Sequence, residues 1–355
     1  MREFKKHISL LSLIILAGLA FQCSKVKAPY PQSKIVKEVI WHASTYQSGA
    51  EGSDLFPTTT AGDGNIYTAW GDGKGFNGDT KKSYGISMIE GNPPSIRASD
   101  VSYGPNGIEK GKIIDILSVG GTIYGILNTQ DDKWPFVSYQ ITRSDNLGKD
   151  WHRLPWKWPK GEGAFEPRRF MHVGKDDAQP KEGYVYIYGR KKYDPSKFYL
   201  ARTLGKNIEN KDTYEFFMGN DTSGKDTWSV DFNKGEAIFS DSNIKEFRFN
   251  SFCVLYNQPL DRYFAVTGYG DAGQIGIFEA SEPWGSWFTV AYYDQWLGMS
   301  GGYFLSMSFP GKWTSSDGKV LYAVFSVHGH PTPSTYHDKF NLIKTSLILA
   351  DDANQ

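Results

Sequence analysis

The sequence predicts an all-β fold, a five-bladed β-propeller. Convincing helical periodicity is almost absent after residue 38, and short apolar runs alternate with Gly, Pro, Asn and Asp. Trp, Tyr and Gly are abundant, with 11, 21 and 38 residues. Many short strands separated by turn signals are typical of sandwiches and propellers. A chain of 355 residues is large for one sandwich but suits a propeller of four-stranded blades.

The strand-like runs group into five sets, each long enough for one blade. The segment 39–45 can add a strand to the last set and so close a ring. A short helix or turn is expected at 206–213. The five sets cover 55–96, 112–154, 170–218, 239–293 and 302–349.

One turn motif supports a blade architecture. The run "SDNLGKDW" fits the Asp-box pattern Ser-x-Asp-x-Gly-x-x-Trp, with Asn146 in place of the Asp. We expect Ser144 and Asn146 to close the turn through side-chain to backbone bonds, Gly148 to supply a positive φ, and Trp151 to pack beneath. The motif indicates structure and not catalysis.

The N-terminus predicts an export signal. A basic start precedes a largely apolar run over residues 8–21, which is too short to span a membrane and suits a signal-peptide core. Cys23 follows at once, as in a bacterial lipoprotein signal, although Gln22 replaces the small residue usual before the lipidated cysteine. We therefore predict lipidation at Cys23.

This leader sets the expected domain boundaries. A lipoprotein-type signal peptide with its lipidation Cys occupies 1–23, a tether 24–38, and a β-propeller catalytic domain 39–355. The protein is expected to be exported, and either lipid-anchored to the bacterial cell envelope or secreted. Membrane contact is then expected through the lipid anchor only, and the propeller is expected to be a monomer.

Composition excludes several classes of partner and chemistry. Lys plus Arg equals Asp plus Glu, at 39 each, so there is no basic excess to bind nucleic acid. Cys253 lies in an apolar run and is predicted to be a buried structural thiol. The chain has no zinc-type cysteine spacing, no glycine-rich phosphate loop and no serine nucleophile elbow.

A hairpin near the start of the predicted propeller carries two separated aspartates. "GSDLFPTTTAGDGNIYTAWGDGKGF" holds two strand-like runs joined by an Asp-Gly turn, the strongest short-range hairpin signal. With a three-residue loop Asp54 faces Asp72, and with a two-residue loop it faces Gly73. Both registers place Asp54 and Asp72 at the open end of one hairpin.

Two carboxyl groups this close can act as a general acid and as a nucleophile or base. Directly opposed side chains have Cβ atoms roughly 4.5–5.5 Å apart. Their repulsion makes one carboxyl hold its proton to higher pH. A protonated acid beside an ionised partner is what glycosidic bond cleavage requires. The alternative is that both aspartates only cap strand ends, as short acidic side chains often do.

Other residues are candidates for binding a substrate at the blade ends. Lys112 and Asp115 begin the second set and can project into the same mouth, or can belong to a solvated turn. Asn250 stands at the entry of an apolar strand and can reach a ligand. Trp313 can be a sugar platform or a blade core residue.

The third set begins with a basic run, "EPRRFMHVG". Arg169 and His172 are candidate substrate-binding residues, since an Arg can bind a sugar hydroxyl or a carboxylate. A surface salt bridge is the alternative for Arg168 and Arg169. The sialidase arginine triad cannot be assembled from this sequence, and only one Asp-box is present.

A histidine-rich loop, "HGHPTPSTYHD", holds His328, His330, His337 and Asp338. A His-x-His pair in a loop can hold a metal, and exposed histidines without metal are the alternative. We predict no cofactor and no metal ligands here, although a structural ion in the propeller channel is compatible with the sequence.

Several phrases together resemble a known family. Beside the hairpin run, these are "DTYEFFMG", "YNQPLDRYFAVT", "IFEASEPWGSWFTV" and "FPGKWTSSDG". They resemble exported bacterial proteins of a family long labelled unknown in function and now grouped with endo-D-arabinanases, glycoside hydrolases on five-bladed propellers. The resemblance covers most of the chain after Gly52. It implies that Asp54 and Asp72 match the family's acidic pair.

We therefore expect a glycoside hydrolase that cleaves a polysaccharide or oligosaccharide, with an arabinan-type glycan implied by the resemblance. The alternative is a non-catalytic glycan-binding propeller on the cell surface. Strand pairing favours retention, because retaining enzymes need carboxyl groups about 5–5.5 Å apart and inverting ones about 6.5–9.5 Å. Which aspartate is the acid, the sugar, and endo or exo action stay open.

Overall fold

The computed structural model describes residues 26–104, 111–129, 138–158, 161, 163–174, 183–191, 194–245 and 252–352. Within these ranges the structure is all-β, as predicted, and no helix is long and apolar enough to cross a membrane. Its helices are 3-10 turns of three residues, two of them in the predicted 206–213 region. They are Gly205–Asn207, Lys211–Thr213, Phe232–Lys234, Gln258–Leu260, Trp296–Gly298, Gly311–Trp313 and Ser334–Tyr336.

The strands of the described residues follow one another with short connections. In chain order they are β1 (Val36–Gly49), β2 (Asp54–Thr60), β3 (Ile66–Gly73), β4 (Lys82–Asn92), β5 (Ser95–Tyr103), β6 (Lys112–Val119), β7 (Thr122–Thr129), β8 (Ser138–Ser144), β9 (His152–Arg153), β10 (Phe165–His172), β11 (Tyr184–Lys191), β12 (Lys197–Leu204), β13 (Glu215–Asn220), β14 (Asp226–Ser229), β15 (Phe239–Ser240), β16 (Phe252–Asn257), β17 (Arg262–Gly268), β18 (Ile275–Ala280), β19 (Phe288–Tyr293), β20 (Tyr303–Ser308), β21 (Val320–His328) and β22 (Phe340–Leu349).

These strands form four sheets in the described part of the chain. The first set is β2–β5 and the second is β6–β9. A ten-stranded sheet contains the third set, β10–β15, and the fourth, β16–β19, joined by two parallel residue pairs between β10 and β16. Strand β15 was expected to begin the fourth set, but it pairs with β12 of the third. The fifth set is β20–β22 with β1 paired to β22, which agrees with the strand expected at 39–45.

The first strand of each set, here called its leading strand, contacts the leading strands of two other sets, and these contacts form a cycle. Strand β2 contacts β6, β6 contacts β10, β10 pairs with β16, β16 contacts β20, and β20 contacts β2. The hydrophobic clusters follow the same order, and each lies between two neighbouring sets. Phe56 and Trp70 of the first set, for example, pack with Val324 and Phe340 of the fifth. Burial of apolar surface between sets therefore holds the molecule together.

Arg169 links three of the leading strands from inside the molecule. Its side chain is 1% exposed, and its guanidinium donates to the carbonyls of Ile114 on β6 and Leu305 on β20, at 2.7 and 3.4 Å. Asp115 forms an ion pair with it at 3.4 Å and accepts the backbone N–H of Phe170 at 2.7 Å. Arg169 was predicted to bind substrate. That prediction is wrong, because its donors are used internally and solvent does not reach it.

The segment predicted as a tether is part of the fold from Val26 onward. Pro31 and Ser33 exchange backbone hydrogen bonds with Thr289 of β19, both at 2.7 Å. The Ser33 hydroxyl donates to the Glu279 carboxylate at 2.9 Å, and β1 begins at Val36. The tether prediction for 24–38 fails over these residues because the segment packs on the fourth set. Cys23 lies outside the described residues.

The Asp-box turn has the predicted geometry. The backbone N–H of Gly148 donates to the Ser144 hydroxyl at 2.8 Å, and Gly148 has φ +85°. Trp151 is buried, and its indole N–H donates to the Gly148 carbonyl at 3.1 Å. The turn joins β8 to β9 at the outer edge of the second set.

Candidate active site

The predicted hairpin is formed by β2 and β3, and both aspartates lie at its open end. Next to the turn, Thr60 pairs with Ile66, which corresponds to the three-residue loop. A bulge between Leu55 and Thr58 then shifts the register by one residue, so that Asp54 pairs with Gly71. Asp72 is the next residue along β3. The sequence predicted the shared hairpin end but not the bulge.

The bulge has an unusual backbone that neighbouring strands hold in place. Leu55 and Phe56 have φ of +79° and +56°, and Asp72 has φ +48°. Positive φ in such residues is uncommon and costs about 1–3 kcal/mol each. The Leu55 N–H donates to the Ser326 hydroxyl at 3.2 Å, and its carbonyl accepts from the Ser306 hydroxyl. The fifth set therefore supports the strained start of β2.

The carboxyl group of Asp54 sits in a desolvated position. Its Oδ1 is buried and has no hydrogen-bond partner among the described residues. Burial raises the pKa of Asp54 to about 6, although the nearby Lys112 ammonium acts to lower it. The negative charge of Asp72 raises the pKa further. Asp54 is therefore suited to carry a proton near neutral pH.

Asp72 has different surroundings, although it is on the same hairpin. Its side chain is 50% exposed, and its Oδ1 lies 2.5 Å from the Nζ of Lys112. Lys112 is 15% exposed and also donates to the Ser83 carbonyl at 3.1 Å. The Lys112 ammonium therefore holds the Asp72 carboxylate in an ion pair. The structure thus brings Lys112, predicted as a binding residue, into direct contact with the acidic pair.

Gly71 makes room for the Asp54 carboxylate between the strands. A Cβ at this position would lie 2.5 Å from Asp54 Oδ1 and 3.5 Å from Lys112 Nζ. The first distance is shorter than real Cβ contacts allow, so any side chain here would displace the carboxylate. The glycine is therefore part of the site, and its place opposite Asp54 was not predicted.

The fifth set adds a histidine and an aspartate that sequence reasoning did not connect to the pair. His328 ends β21, and its Nδ1 lies 2.5 Å from Asp338 Oδ1. The hydrogen bond to Asp338 raises the pKa of His328, and the charges of Asp54 and Asp72 act in the same direction. In the sequence both residues belong to a histidine-rich loop, and no local pattern relates them to the first hairpin.

His172 lies at the other end of the strands. Asp54 and Lys112 begin β2 and β6, whereas the Ser118 N–H bonds the Thr59 hydroxyl near the ends of the same two strands. His172 ends β10 and lines a cleft with these strand ends, where its Nε2 lies 3.2 Å from both Asp115 oxygens. His172 therefore lies apart from the contacts that Asp54 and Asp72 make, and its binding of a substrate stays a prediction.

The prediction that Trp313 binds substrate is also corrected. It is 5% exposed and packs in the cluster between the fifth and first sets, where its indole N–H donates to the Gly91 carbonyl at 3.2 Å. A buried ring cannot serve as a sugar platform, so Trp313 is a core residue. Cys253 is buried as predicted. Asn250 lies outside the described residues.

Fold and site together define an all-β protein with a buried carboxyl group beside an ion-paired carboxylate. The chain belongs to the family described as domain of unknown function DUF4185, whose family model matches residues 115–337, more than half of its length. The match begins after Asp54 and Asp72. A comparison with curated proteins found no match.

Solved structures of glycoside hydrolases are similar over most of the chain. A GH43_1 enzyme from Xanthomonas citri is 13% identical, covering 86% of this chain and 91% of that one, with TM-score 0.49. An α-L-arabinofuranosidase from Podospora anserina is 12% identical, covering 85% and 92%, with TM-score 0.47. A GH62 α-L-arabinofuranosidase from Coprinopsis cinerea is 10% identical, covering 85% and 96%, with TM-score 0.49. At these identities and TM-scores the activities of those proteins do not transfer to this chain.

Proposed function

We propose that this chain is a glycoside hydrolase built on a five-bladed propeller, with Asp54 and Asp72 as its catalytic pair. The observation that carries the proposal is the contrast between the two carboxyl groups at one hairpin end. One is desolvated, with a pKa of about 6, and the other is ion-paired with Lys112. The closed order of the leading strands and the hydrophobic cluster between each pair of neighbouring sets support the propeller.

The contrast supports an assignment of the roles that the sequence left open. Asp54 is the general acid, because its desolvated carboxyl holds a proton near neutral pH. Asp72 is the nucleophile, because its carboxylate is held by the Lys112 ammonium and half of its side chain faces solvent. Lys112 is a positioning residue that holds the Asp72 carboxylate.

The reaction then proceeds in two displacements. The Asp54 O–H protonates the glycosidic oxygen while the bond from that oxygen to the anomeric carbon breaks and Asp72 bonds to the same carbon. Water, deprotonated by the Asp54 carboxylate, next displaces Asp72 and restores both groups. We expect the product to retain the anomeric configuration. Inverted product in an NMR time course would show instead that Asp72 acts as a general base.

The substrate class rests on the sequence resemblance. An arabinan-type polysaccharide, or oligosaccharides derived from it, is the proposed substrate. The test is to incubate the purified protein with a panel of plant and microbial glycans, arabinans included, and to separate released oligosaccharides by chromatography. Release by the wild type but not by Asp54→Asn or Asp72→Asn supports the proposal. Saturable binding of a glycan without release would instead identify a glycan-binding propeller.

We also propose that the protein is exported and lipid-anchored at Cys23. The basic start, the apolar run and the cysteine after it motivate this proposal. In a bacterial host, Cys23→Ala should release the protein from the membrane fraction or block its processing. Unchanged fractionation together with an unchanged mass would contradict lipidation.

A further inference from the structure

Three potential metal ligands meet in the fifth set, beside the acidic pair. One ligand atom from each of His328, His337 and Asp338 lies within 4.8 Å of the other two. His328 Nδ1 is 2.5 Å from Asp338 Oδ1, and His337 Nε2 is 3.3 Å from Asp338 Oδ2. We propose that these side chains form a site for a divalent transition metal, with Zn²⁺ the best match.

The donor set selects this class of metal. Two imidazoles and one carboxylate suit Zn²⁺ and neighbouring transition metals, whereas Ca²⁺ and Mg²⁺ prefer all-oxygen sites. Zn²⁺ binds imidazole nitrogen at about 2.0–2.1 Å and carboxylate oxygen at about 2.0–2.2 Å. Ligand atoms this near to one another therefore need only small side-chain movements to surround one ion. Three protein ligands leave a fourth position for water or a ligand oxygen.

The local structure supports a site rather than a chance cluster. The Nε2 of His337 is buried and makes no hydrogen bond within the described residues, and it lies 3.3 Å from the Asp338 carboxylate. Asp338 has φ +41° and His330 has φ +60°, conformations that non-glycine residues seldom adopt.

A metal in this loop would act on the position of Asp54. The Asp338 carbonyl accepts the backbone N–H of Gly52 at 2.7 Å, and the next residue, Lys339, pairs with Glu51 at 3.0 Å. Gly52 is two residues before Asp54. An ion that orders Asp338 therefore also orders the residues that lead into β2. Any effect of the ion on catalysis by Asp54 rests on the proposed function.

Binding is tested on untagged protein, stripped with a chelator and dialysed. Calorimetric titration with Zn²⁺ should show one saturable site, Co²⁺ should also bind, and Ca²⁺ and Mg²⁺ should not compete. His337→Gln and Asp338→Asn should each weaken Zn²⁺ binding at least about tenfold, as loss of even an outer-shell partner does. His152→Gln is the matched control, because His152 is exposed on β9 and should leave binding unchanged.

The outcomes separate this inference from the proposed hydrolase. Metal stoichiometry and the thermal shift on adding Zn²⁺ need no substrate, and a ligand that binds only the folded state raises its stability. Absence of saturable binding, a preference for Ca²⁺, or equal binding by the ligand variants would overturn the metal site whatever the activity. Saturable Zn²⁺ binding lost in both ligand variants supports the site even if no glycan is cleaved.

Discussion

Asp54 and Asp72 show how surroundings give different properties to identical side chains. They stand on one hairpin, yet one has a buried oxygen without a hydrogen-bond partner among the described residues and the other is ion-paired and half exposed. Desolvation disfavours the charged form of a carboxyl group, and a neighbouring ammonium favours it. The proposed division into acid and nucleophile rests on these two effects.

Replacing either aspartate should abolish hydrolysis while the fold persists. Asp54→Asn removes the proposed proton donor and Asp72→Asn removes the proposed nucleophile, and neither residue can take the other's role. We expect kcat/KM to fall by at least about a hundredfold in each variant. Circular dichroism should be unchanged, since Asn has nearly the shape of Asp. Wild-type hydrolysis by one variant on a proven substrate would remove that residue from the mechanism.

The raised pKa of Asp54 also predicts how stability depends on pH. A carboxyl with a folded-state pKa of about 6 and an ordinary value of 3.8 favours folding below pH 3.8, and this contribution is lost as pH rises through 6. Asp54→Asn lacks this titration. Its free energy of unfolding, relative to wild type, should therefore rise between pH 4 and pH 7 by on the order of 3 kcal/mol.

Urea unfolding of both proteins across this pH range measures the effect. Asp63→Asn is the control, since Asp63 lies in the exposed turn of the same hairpin. A difference between Asp54→Asn and wild type that stays constant with pH would show that Asp54 is not desolvated in solution.

At the scale of elements, the β2–β3 hairpin is shaped by its bulge. Without the bulge, Asp54 would face Asp72, as the three-residue loop alone predicts. With it, Asp54 faces a glycine and its carboxylate occupies the space of the missing side chain. Bulges commonly re-aim side chains beside active sites.

Gly71→Ala tests this packing. The φ of Gly71 is not in the left-handed region, so alanine is compatible with the backbone, but its Cβ would lie 2.5 Å from Asp54 Oδ1. We expect kcat to fall at least about tenfold, because small displacements of catalytic groups are costly. Gly161→Ala is the control, since an added Cβ there has nothing within 4 Å. Equal activity of both variants would show that the Asp54 carboxylate does not depend on Gly71.

At the scale of the whole molecule, buried polar groups join the strand sets where their leading strands meet. Arg169 connects β10 with β6 and β20. The Asp115 carboxylate contacts Arg169, the His172 ring and the Phe170 N–H. A buried pair contributes less through its attraction than through the cost of leaving one partner alone. The buried Arg169–Asp115 pair therefore constrains how the strand sets are arranged.

Arg169→Met should destabilise the protein strongly. The change leaves Asp115 buried without its guanidinium, and breaking a buried pair costs about 3–5 kcal/mol. Arg143→Met is the comparison, because Arg143 pairs with Asp145 and Glu209 at the surface, where ion pairs contribute about 0–1 kcal/mol. Guanidinium chloride unfolding measures both. Similar midpoints for the two variants would contradict the role of Arg169.

Local sequence determined the parts of this protein that depend on short-range chemistry. Alternating apolar runs and turn residues predicted an all-β chain of short strands, the Asp-Gly turn predicted the β2–β3 hairpin, and "SDNLGKDW" predicted a turn that closes as expected. Each follows from backbone preferences and side-chain bonds within a few residues. The shared position of Asp54 and Asp72 belongs to this group.

Only the tertiary structure decided the environments of the site residues. Burial of Asp54, the contact of Lys112 with Asp72, and the approach of His328 and Asp338 depend on strands that meet across the whole chain. The same holds for Arg169 and Trp313, which look like surface candidates in the sequence and are interior in the fold. Desolvation and Coulomb interactions act through space, so a local pattern of residues does not predict the environment of a site residue.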